Sequence, residues 1–512
     1  MLTILLMGLA LGVPVPESLA GLMEHAALQI RQGNYQSAEP LVAEILQRAP
    51  QASSAHNLLG LLRLGEGQFD QARQAFADAI RLNPDSTPAH VNLANTLVRL
   101  KQDQAAIKEF ERALELRPDD KTALFNLGLV LGRNAQFEPA TRPLRRAHAL
   151  DPADASVTVA LASAEIGSHH PPQAEPLIRE LERRGALKST IRTSLAMLWL
   201  ENGEAAKGAA LVSNDPERAS DYYQTAWRLA QDSSDAGKYA RTASILEGIK
   251  GLRTPTAEFH DLLGSAYYAL DDAKRASDEL QDAIQMEPAA PDHYYKLGMV
   301  FLKHRTPEPA IYVFKEAVEK RPDVPKLWMG LGLSYYIENQ FDEAKKVLYQ
   351  TIALDPTYAP AYTVMCDMLI QKGDDEEAIK VLTKAIAIQP NLYLLYYYYG
   401  RALGHRSEVD TEEVIKMLRK AVELSPDFPE AHFELGKALE AAKRPVEAIG
   451  ELKKSVLLKP QLEQAHYRLS QLYRESGNTQ LAEQELRAFR EIRKSGAGDE
   501  MVQQLIVSFQ GR

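Results

Sequence analysis

Histidine is the residue type best suited to metal binding or proton transfer in this chain of 512 residues. Either chemistry would need several of the twelve histidines close together. The pair His169-His170 lies in a turn-like stretch and suggests weak metal binding at most. Five others lie far apart, one in each of five similarly patterned segments, and we interpret them as semi-buried packing residues. They are His56, His90, His260, His432 and His466.

Other residues with chemical potential give no pattern typical of an enzyme. Cys366 is the single cysteine, so neither a disulfide nor a cysteine metal cluster can form within one chain. We interpret it as a small packed hydrophobe. No nucleophile elbow, phosphate-binding loop, zinc-protease motif or dinucleotide fingerprint occurs. We therefore predict a protein that is not an enzyme, with no catalytic residue, no metal and no cofactor.

A period of 34 residues organises most of the chain. Its clearest copy contains Trp328, Leu331, Gly332, Tyr335, Ala344, Leu348 and Pro356. The prolines that close successive copies are 34 residues apart, except for one step of 36 and one gap of four periods. They are Pro50, Pro84, Pro118, Pro152, Pro288, Pro322, Pro356, Pro390, Pro426 and Pro460. Such regularity indicates an internal repeat.

The spacing within each copy predicts two packed helices. Large apolar groups at positions 4, 7 and 11 fall on one face of a first helix. Small residues at positions 8 and 20, such as Gly332 and Ala344, allow the second helix to pack closely. The closing proline ends the second helix because it cannot extend the hydrogen-bond ladder. Helices this short are marginal alone, so stacked neighbours must stabilise them.

The pattern resembles the tetratricopeptide repeat (TPR) superfamily, strongly over 19–154 and 257–496 and loosely in between. The resemblance implies an all-α solenoid of helix-turn-helix repeats, wound as a right-handed superhelix, with about 14 repeats. We number the repeats from residue 19. An N-terminal block then covers 21–154 as repeats 1–4, and a C-terminal block covers 257–496 as repeats 8–14.

Residues 155–256 lack the closing prolines but have the length of three repeats. We predict three degenerate helix pairs there and hypothesise that they form a hinge. Residues 499–510 place Met501, Leu505 and Phe509 on one helical side, which favours a C-terminal capping helix. A helix that docks a partner is the alternative.

Residues 1–20 combine an apolar run with the small-residue site Ser18-Leu19-Ala20, which is typical of a signal peptide. The run is too short to anchor the chain across a bilayer, so we predict no membrane span in the mature chain. This favours a bacterial protein exported to the periplasm or the exterior. Because no Lys or Arg precedes the run, a cytoplasmic protein with an apolar N-terminal cap is the alternative.

The resemblance also implies a concave groove, lined mainly by first helices at positions 2, 5, 6, 9 and 12, that binds peptides or partner proteins. In the N-terminal block these positions hold Asn92, Asn95 and Asn126. Asn92 and Asn126 share position 6 and resemble the asparagine ladder with which O-linked N-acetylglucosamine transferases hold a peptide backbone. Solvated polar positions are the alternative. A chaperone-type carboxylate clamp is not supported, because its three basic positions hold other residues.

In the C-terminal block the groove positions carry a track of aromatic residues and one methionine. Such side chains give broad, adaptable contact area, although they could equally pack against neighbouring repeats. Around them we expect Tyr396 and Tyr399 in the core and Tyr398 in the groove. The track is Tyr268, Tyr295, Met329, Tyr336, Tyr397, Phe433 and Tyr467.

The charge balance bears on the class of partner. A formal net charge of -10 and a pI near 5.8 disfavour nucleic acid, whose phosphates need a basic surface. We therefore predict a scaffold or adaptor that binds peptide segments of partner proteins in its groove. The alternative is an accessory or regulatory subunit of an enzyme or export complex, for example one associated with a glycosyltransferase, with catalysis on another chain.

Overall fold

The computed structural model describes residues 18–406 and 409–495. Within these two ranges the chain forms 28 α-helices and no strand, so the predicted all-α fold class is confirmed. Most of the predicted signal peptide, residues 1–17, and the predicted capping helix at 499–510 lie outside the described residues.

From α1 to α10 and from α15 to α28 the helices are paired in sequence order, and consecutive pairs pack against each other. Those of repeats 1–6 are α1 (Leu19–Arg31), α2 (Tyr35–Arg48), α3 (Ser53–Gly65), α4 (Phe69–Leu82), α5 (Thr87–Arg99), α6 (Asp103–Leu116), α7 (Lys121–Arg133), α8 (Phe137–Leu150), α9 (Ala155–Gly167), α10 (Pro171–Arg183), α11 (Ser189–Glu201) and α12 (Ala205–Val212). The next two are α13 (Pro216–Asp235) and α14 (Tyr239–Ile249). Those of repeats 8–14 are α15 (Ala257–Ala269), α16 (Ala273–Met286), α17 (Pro291–Lys303), α18 (Pro307–Lys320), α19 (Pro325–Ile337), α20 (Phe341–Leu354), α21 (Ala359–Lys372), α22 (Asp375–Ile388), α23 (Tyr393–His405), α24 (Thr411–Leu424), α25 (Pro429–Ala441), α26 (Pro445–Leu458), α27 (Glu463–Glu475) and α28 (Thr479–Ser495).

The chain divides into two compact units. The N-terminal unit runs up to Ala230 and includes Ser244–Arg253, and the C-terminal unit contains Gln231–Ala243 and everything from Thr254 onward. The division falls within α13 and α14, in the segment without closing prolines. This segment also holds helices of unusual length, with 8 residues in α12 and 20 in α13. The hinge at 155–256 stays a prediction.

Close packing within each repeat depends on the small residue at position 8 of the first helix. A Cβ atom added at Gly332 would lie 2.8 Å from Cδ2 of Leu348, a side chain of the second helix of the same repeat. One added at Gly128 would lie 2.3 Å from Cγ of Leu144. These distances are shorter than those between packed carbon atoms. A larger residue at position 8 would therefore push the two helices apart.

The turn between the two helices uses a left-handed backbone at position 15 of the repeat. Glycine serves in several repeats, for example Gly33 at φ 77° and Gly373 at φ 80°. Other repeats place larger residues in the same conformation, including Ala135 at φ 56° and His169 at φ 60°. The predicted turn at His169-His170 is therefore a regular repeat turn.

In repeats 2, 3 and 9–14, an aromatic residue at position 4 ties the first helix to the turn before it. The Trp328 indole N–H donates to the Pro322 carbonyl over 2.9 Å. A tyrosine hydroxyl or an imidazole Nε2 makes the same contact in other repeats, as Tyr362 does with Pro356 over 2.9 Å. Four of the five histidines expected to be packing residues, all but His260, thus also fix the inter-repeat turn.

Candidate protein-binding faces

In the N-terminal unit, neighbouring first helices bring four half-buried asparagines together. Asn92 on α5 donates its side-chain N–H to the Asn57 amide oxygen on α3 over 3.0 Å. Asn126 on α7 donates to Asn95 on α5 over 2.8 Å. Each pair uses one of the two N–H donors of its donating amide, so the other can serve a ligand. We call Asn57, Asn92, Asn95 and Asn126 the amide face.

An apolar groove of about 650 Å³ begins on α7, where its lining residues Phe125 and Leu129 lie one residue before and three residues after Asn126. Phe125 and Leu129 on α7, Val159 and Ala160 on α9, and Ile191 on α11 are among its lining residues. Leu129 keeps 44% of its surface exposed, so its side chain can contact a ligand in the groove. The groove can therefore shelter an apolar side chain of a ligand.

The sequence prediction included three of the four asparagines but not Asn57. It also did not include the apolar groove beside Leu129. Asn57 stands at position 5, which is one of the expected groove positions. Apolar residues at groove positions of repeats 4 and 5, namely Leu129, Val159 and Ala160, could have revealed the groove. A pairing of side chains on different helices, however, is visible only once the helices are packed.

The first helices of the C-terminal unit carry ion pairs where those of the N-terminal unit carry amides. Asp261 on α15 pairs with Lys296 on α17, and the His293 Nδ1 lies 2.7 Å from the other oxygen of Asp261. Asp292 on α17 pairs with Lys326 on α19. Opposite charges thus connect successive first helices.

A buried aspartate is the centre of the largest of these polar clusters. Asp367 on α21 is only 2% exposed and accepts hydrogen bonds from the Tyr336 hydroxyl at 2.8 Å and the Arg401 guanidinium at 3.1 Å. Gln371 adds a third at 3.0 Å. The guanidinium also lies 5.6 Å from the Tyr397 ring centroid. Burial, together with the Asp367 charge, holds the pKa of Tyr336 well above its ordinary value.

The predicted aromatic track is only partly accessible. Met329, Tyr336, Tyr397 and Phe433 are buried, with 3–8% of their surface exposed. Tyr268 and Tyr295 are half-buried, and burial raises the pKa of Tyr295 to about 12. Tyr467 is 43% exposed. We call these seven residues, together with the charged residues Asp261, Asp292, Lys296, Lys326, Asp367 and Arg401, the tyrosine face.

The expectation for the neighbouring tyrosines was wrong. Tyr397 and Tyr398 are buried, whereas Tyr396 and Tyr399, which were expected in the core, are half-buried. The Tyr396 hydroxyl donates to the Pro390 carbonyl over 2.8 Å, so its ring is held at the repeat turn. Tyr397 instead packs edge-on against Tyr398 and Phe428, each at a centroid distance of 5.0 Å.

Comparison with known families agrees with the helical pairing. A family model for the cilia and flagella-associated protein 70 C-terminal domain matches residues 223–472. Two tetratricopeptide repeat models match residues 63–128 and 23–87. The chain is a tetratricopeptide repeat protein. Proteins with such repeats generally mediate protein–protein interactions, and the fold is typically a non-catalytic scaffold.

Individual relatives of this TPR protein match over limited lengths. The BBSome complex member BBS4 of Bos taurus is 28% identical over 160 residues, which is 31% of this chain and 31% of that protein. The U-box domain-containing protein 70 of Oryza sativa subsp. japonica is 24% identical over 181 residues, 35% of this chain and 22% of that protein. The crystal structure of the APC/C hetero-tetramer Cut9-Hcn1 matches 94% of both chains at 17% identity and a TM-score of 0.38.

Four TPR repeats contain a further contact, which we call the histidine clasp. In it, the Nδ1 atom of a histidine at position 4 lies 2.6 Å from a glutamate oxygen at position 23 of the same repeat. The pairs are His90 with Glu109, His260 with Glu279, His432 with Glu451, and His466 with Glu485. A clasp fastens the first helix of a repeat to its second helix.

Two remaining features concern the cysteine and the membrane. Cys366 is fully buried, and burial raises the pKa of its thiol, which suits a packing role and not a nucleophile. Across residues 18–406 and 409–495, no helix combines the length and the apolar character that crossing a bilayer requires.

Proposed function

We propose that the chain is a non-enzymatic TPR scaffold whose amide face and adjoining groove hold an extended peptide segment of a partner protein. The supporting observation is that the two asparagine pairs extend from α3 to α7, whose residues Phe125 and Leu129 also line the apolar groove. An extended peptide offers unpaired backbone N–H and C=O groups, which neutral amides can bind whatever the peptide sequence. The groove adds a preference for an apolar side chain.

The tyrosine face is a less suitable primary site. Its charged groups already pair with one another across successive helices, and four of its seven predicted contact residues are buried. Tyr268, Tyr295 and Tyr467 keep accessible surface and form a second contact region for a longer partner. Substituting Tyr336 or Tyr397 would damage the core and could not report binding alone.

The experiment selects peptides from a random display library on the full chain and measures their affinity for two matched variants. Leu129→Asp places a charge in the groove on α7, and we expect at least about a tenfold loss, because about 1 kcal/mol of burial is lost together with the cost of burying a charge. Leu150→Asp alters a leucine of nearly equal exposure, 41%, at the end of the second helix α8. It should leave affinity unchanged.

Equal losses in the two leucine variants, or undiminished binding by Leu129→Asp, would contradict the proposal. Asn126→Ala should weaken every selected peptide by a similar factor, because the amide contacts backbone and not a particular side chain. Binding should also change little between low and high salt, since the amide face is neutral. A steep salt dependence would place the peptide on the charged tyrosine face.

An accessory role beside a catalytic chain would use the same faces. Copurification of the chain with an enzyme, and loss of that enzyme from the Leu129→Asp variant, would favour the accessory role over a general scaffold. Peptide capture without any associated activity would favour the scaffold.

We further propose export of the chain from a bacterial cell, with cleavage after Ala20. Ser18 and Leu19 belong to the start of α1, where the Ser18 Oγ accepts the Gly21 N–H over 3.1 Å. Cleavage would therefore remove a helix cap, at a cost of about 1 kcal/mol. N-terminal sequencing of the protein from fractionated cells tests the proposal. A periplasmic chain that begins at Gly21 supports it, and a cytoplasmic chain that begins at Met1 contradicts it.

A further inference from the structure

The histidine clasp of repeat 8 differs from the other three clasps. In repeats 3, 13 and 14 the imidazole Nε2 also contacts the carbonyl of the closing proline, over 2.8–3.0 Å. A carbonyl oxygen only accepts, so Nε2 carries a hydrogen there and Nδ1 shares one further proton with the glutamate. In repeat 8 the residue six places before His260 is Thr254 and not a proline. His260 therefore lacks the closing-proline contact that the other three histidines make.

A second carboxylate faces the same nitrogen in repeat 8. The His260 Nδ1 on α15 lies 2.6 Å from Oε2 of Glu279 and 3.7 Å from Oδ2 of Asp282, both on α16. Donor atoms of all three side chains lie within 4.8 Å of one another. His260 and Glu279 are buried, whereas the Asp282 side chain is 51% exposed. The group is thus open to solvent on one side.

The combination of these three residues occurs in one repeat of the five that have histidine at position 4. In repeats 3, 13 and 14 the position of Asp282 holds Arg112, Lys454 and Ala488, respectively. In repeat 2 that position holds Asp78, but the position of Glu279 holds Ala75. The clasp therefore does not require the aspartate.

We propose that His260, Glu279 and Asp282 form a binding site for a divalent transition-metal ion, of which Zn²⁺ fits best. One imidazole nitrogen and two carboxylates are donors that Zn²⁺ accepts, and the two negative charges match its charge. Calcium and magnesium prefer oxygen donors alone, so the imidazole disfavours them. A single proton on Nδ1 can donate a hydrogen bond to one carboxylate, whereas a metal ion can coordinate both carboxylates.

The distances between the His260 Nδ1 and the two carboxylates are close to the spacing of ligand atoms around Zn²⁺. Zinc bonds to nitrogen and oxygen of about 2.0–2.2 Å place tetrahedral ligand atoms about 3.4 Å apart. The two distances from Nδ1, 2.6 and 3.7 Å, lie on either side of this value. Metal binding therefore requires the two carboxylates to rotate, and the exposed Asp282 side chain is the less constrained of the two. Water from the open side completes the coordination.

Binding would fasten the two helices of the repeat that begins the regular C-terminal block. When the metal ion binds Nδ1, the single N–H of the neutral imidazole moves to Nε2, and binding weakens in acid because a protonated imidazole or carboxyl group cannot bind the ion. Because the unfolded chain lacks this arrangement, the metal ion stabilises the folded repeat. The site is structural and independent of peptide binding by the amide face.

The test titrates the full chain, stripped with a chelator, with Zn²⁺ by calorimetry. The wild-type chain should bind one equivalent of Zn²⁺. The Asp282→Lys substitution should lower the affinity for that ion by about 10- to 100-fold or more. Asp282 is exposed, so this variant should fold, and circular dichroism verifies it. In the reverse experiment, Lys454→Asp completes the same triad around His432 and Glu451 and should create a second equivalent.

Two further outcomes overturn the proposal. Wild type could bind Zn²⁺ no more tightly than Asp282→Lys does. Alternatively, the bound equivalent could survive Asp282→Lys and disappear in His170→Gln, which would assign it to the histidine pair in the turn before α10. A thermal midpoint that rises with Zn²⁺ in wild type but not in Asp282→Lys supports the site independently of the titration.

Discussion

The amide face and the tyrosine face occupy equivalent positions on first helices, yet different interactions connect the helices of each face. The amide face connects α3, α5 and α7 through neutral hydrogen bonds, and an apolar groove lies beside α7. The tyrosine face connects its helices through opposite charges and buries most of its aromatic rings. The same scaffold can therefore keep one surface available for a ligand and use the other to hold itself together.

The difference teaches that side-chain type does not decide availability. Aromatic residues are the usual anchors of protein interfaces, and the sequence placed seven candidates at groove positions. In the structure their partners decide their role, because Tyr336 is committed to Asp367 and Tyr397 lies beneath Arg401. A buried charge pair of this kind depends on every member being present.

The largest expected effect follows from removing Asp367. The Asp367→Ala variant leaves the Arg401 charge buried without its partner and the Tyr336 hydroxyl without an acceptor. We expect a loss of about 3–5 kcal/mol, concentrated in the neighbouring repeats because such arrays are stabilised by nearest neighbours. Hydrogen exchange should show faster exchange in α19, α21 and α23 than in the wild-type protein.

Asn126→Ala is the matched variant on the amide face. It removes one neutral, half-buried hydrogen bond to Asn95, so the loss should be about 0.5–1.5 kcal/mol. The comparison would fail if both variants cost the same, since the tyrosine face would then carry no special structural role.

A smaller effect is the pH dependence of the stability that a histidine at position 4 contributes. It distinguishes a histidine with a carboxylate partner from one without. The His466 imidazole lies 2.6 Å from Glu485, and this hydrogen bond raises the pKa of His466 above its usual 6.5. A raised pKa means that the clasp stabilises the fold fully below pH 6.5. The stabilisation is lost as pH rises through the raised pKa. His466→Gln should therefore cost about 1–2 kcal/mol at pH 6 and less at pH 8.5.

His56 provides the control for the pH experiment. It makes the same contact with the closing proline, to Pro50 over 2.9 Å, but position 23 of its repeat is Ala75 and supplies no carboxylate. The cost of His56→Gln should thus change less between the two pH values, as measured by urea unfolding. Parallel pH profiles for the two variants would contradict the ionic nature of the clasp.

The smallest expected effect is a gain in stability from glycine substitutions in the repeat turns, and it should be equal in the two units. Ala135 and Lys443 have φ of 56° and 58°, a left-handed conformation that disfavours residues with a Cβ atom. Ala135→Gly and Lys443→Gly should each stabilise the fold by about 0.5 kcal/mol, after the entropy cost of glycine in the unfolded chain. Unequal shifts in thermal midpoint would show that the two units differ in their turns as well as in their faces.

Much of the candidate site could be predicted by position within the repeat. Asn92, Asn95 and Asn126 were assigned from the repeat pattern, and the structure places them on neighbouring first helices. Their pairing, the participation of Asn57 and the groove beside Leu129 could not be predicted, because they depend on how far one repeat is rotated against the next. The burial of Tyr397 was missed for the same reason.

The sequence by itself determined the repeat, its helix pairs and the places where small residues must stand. These follow from local geometry, since the spacing of apolar residues defines a helical face and proline ends a helix. Only the tertiary structure decided which polar groups meet. Asp367 joins side chains that lie 31 and 34 residues away in sequence, and His260 meets carboxylates 19 and 22 residues away. Such contacts depend on the packing of separate helices, which no single stretch of sequence specifies.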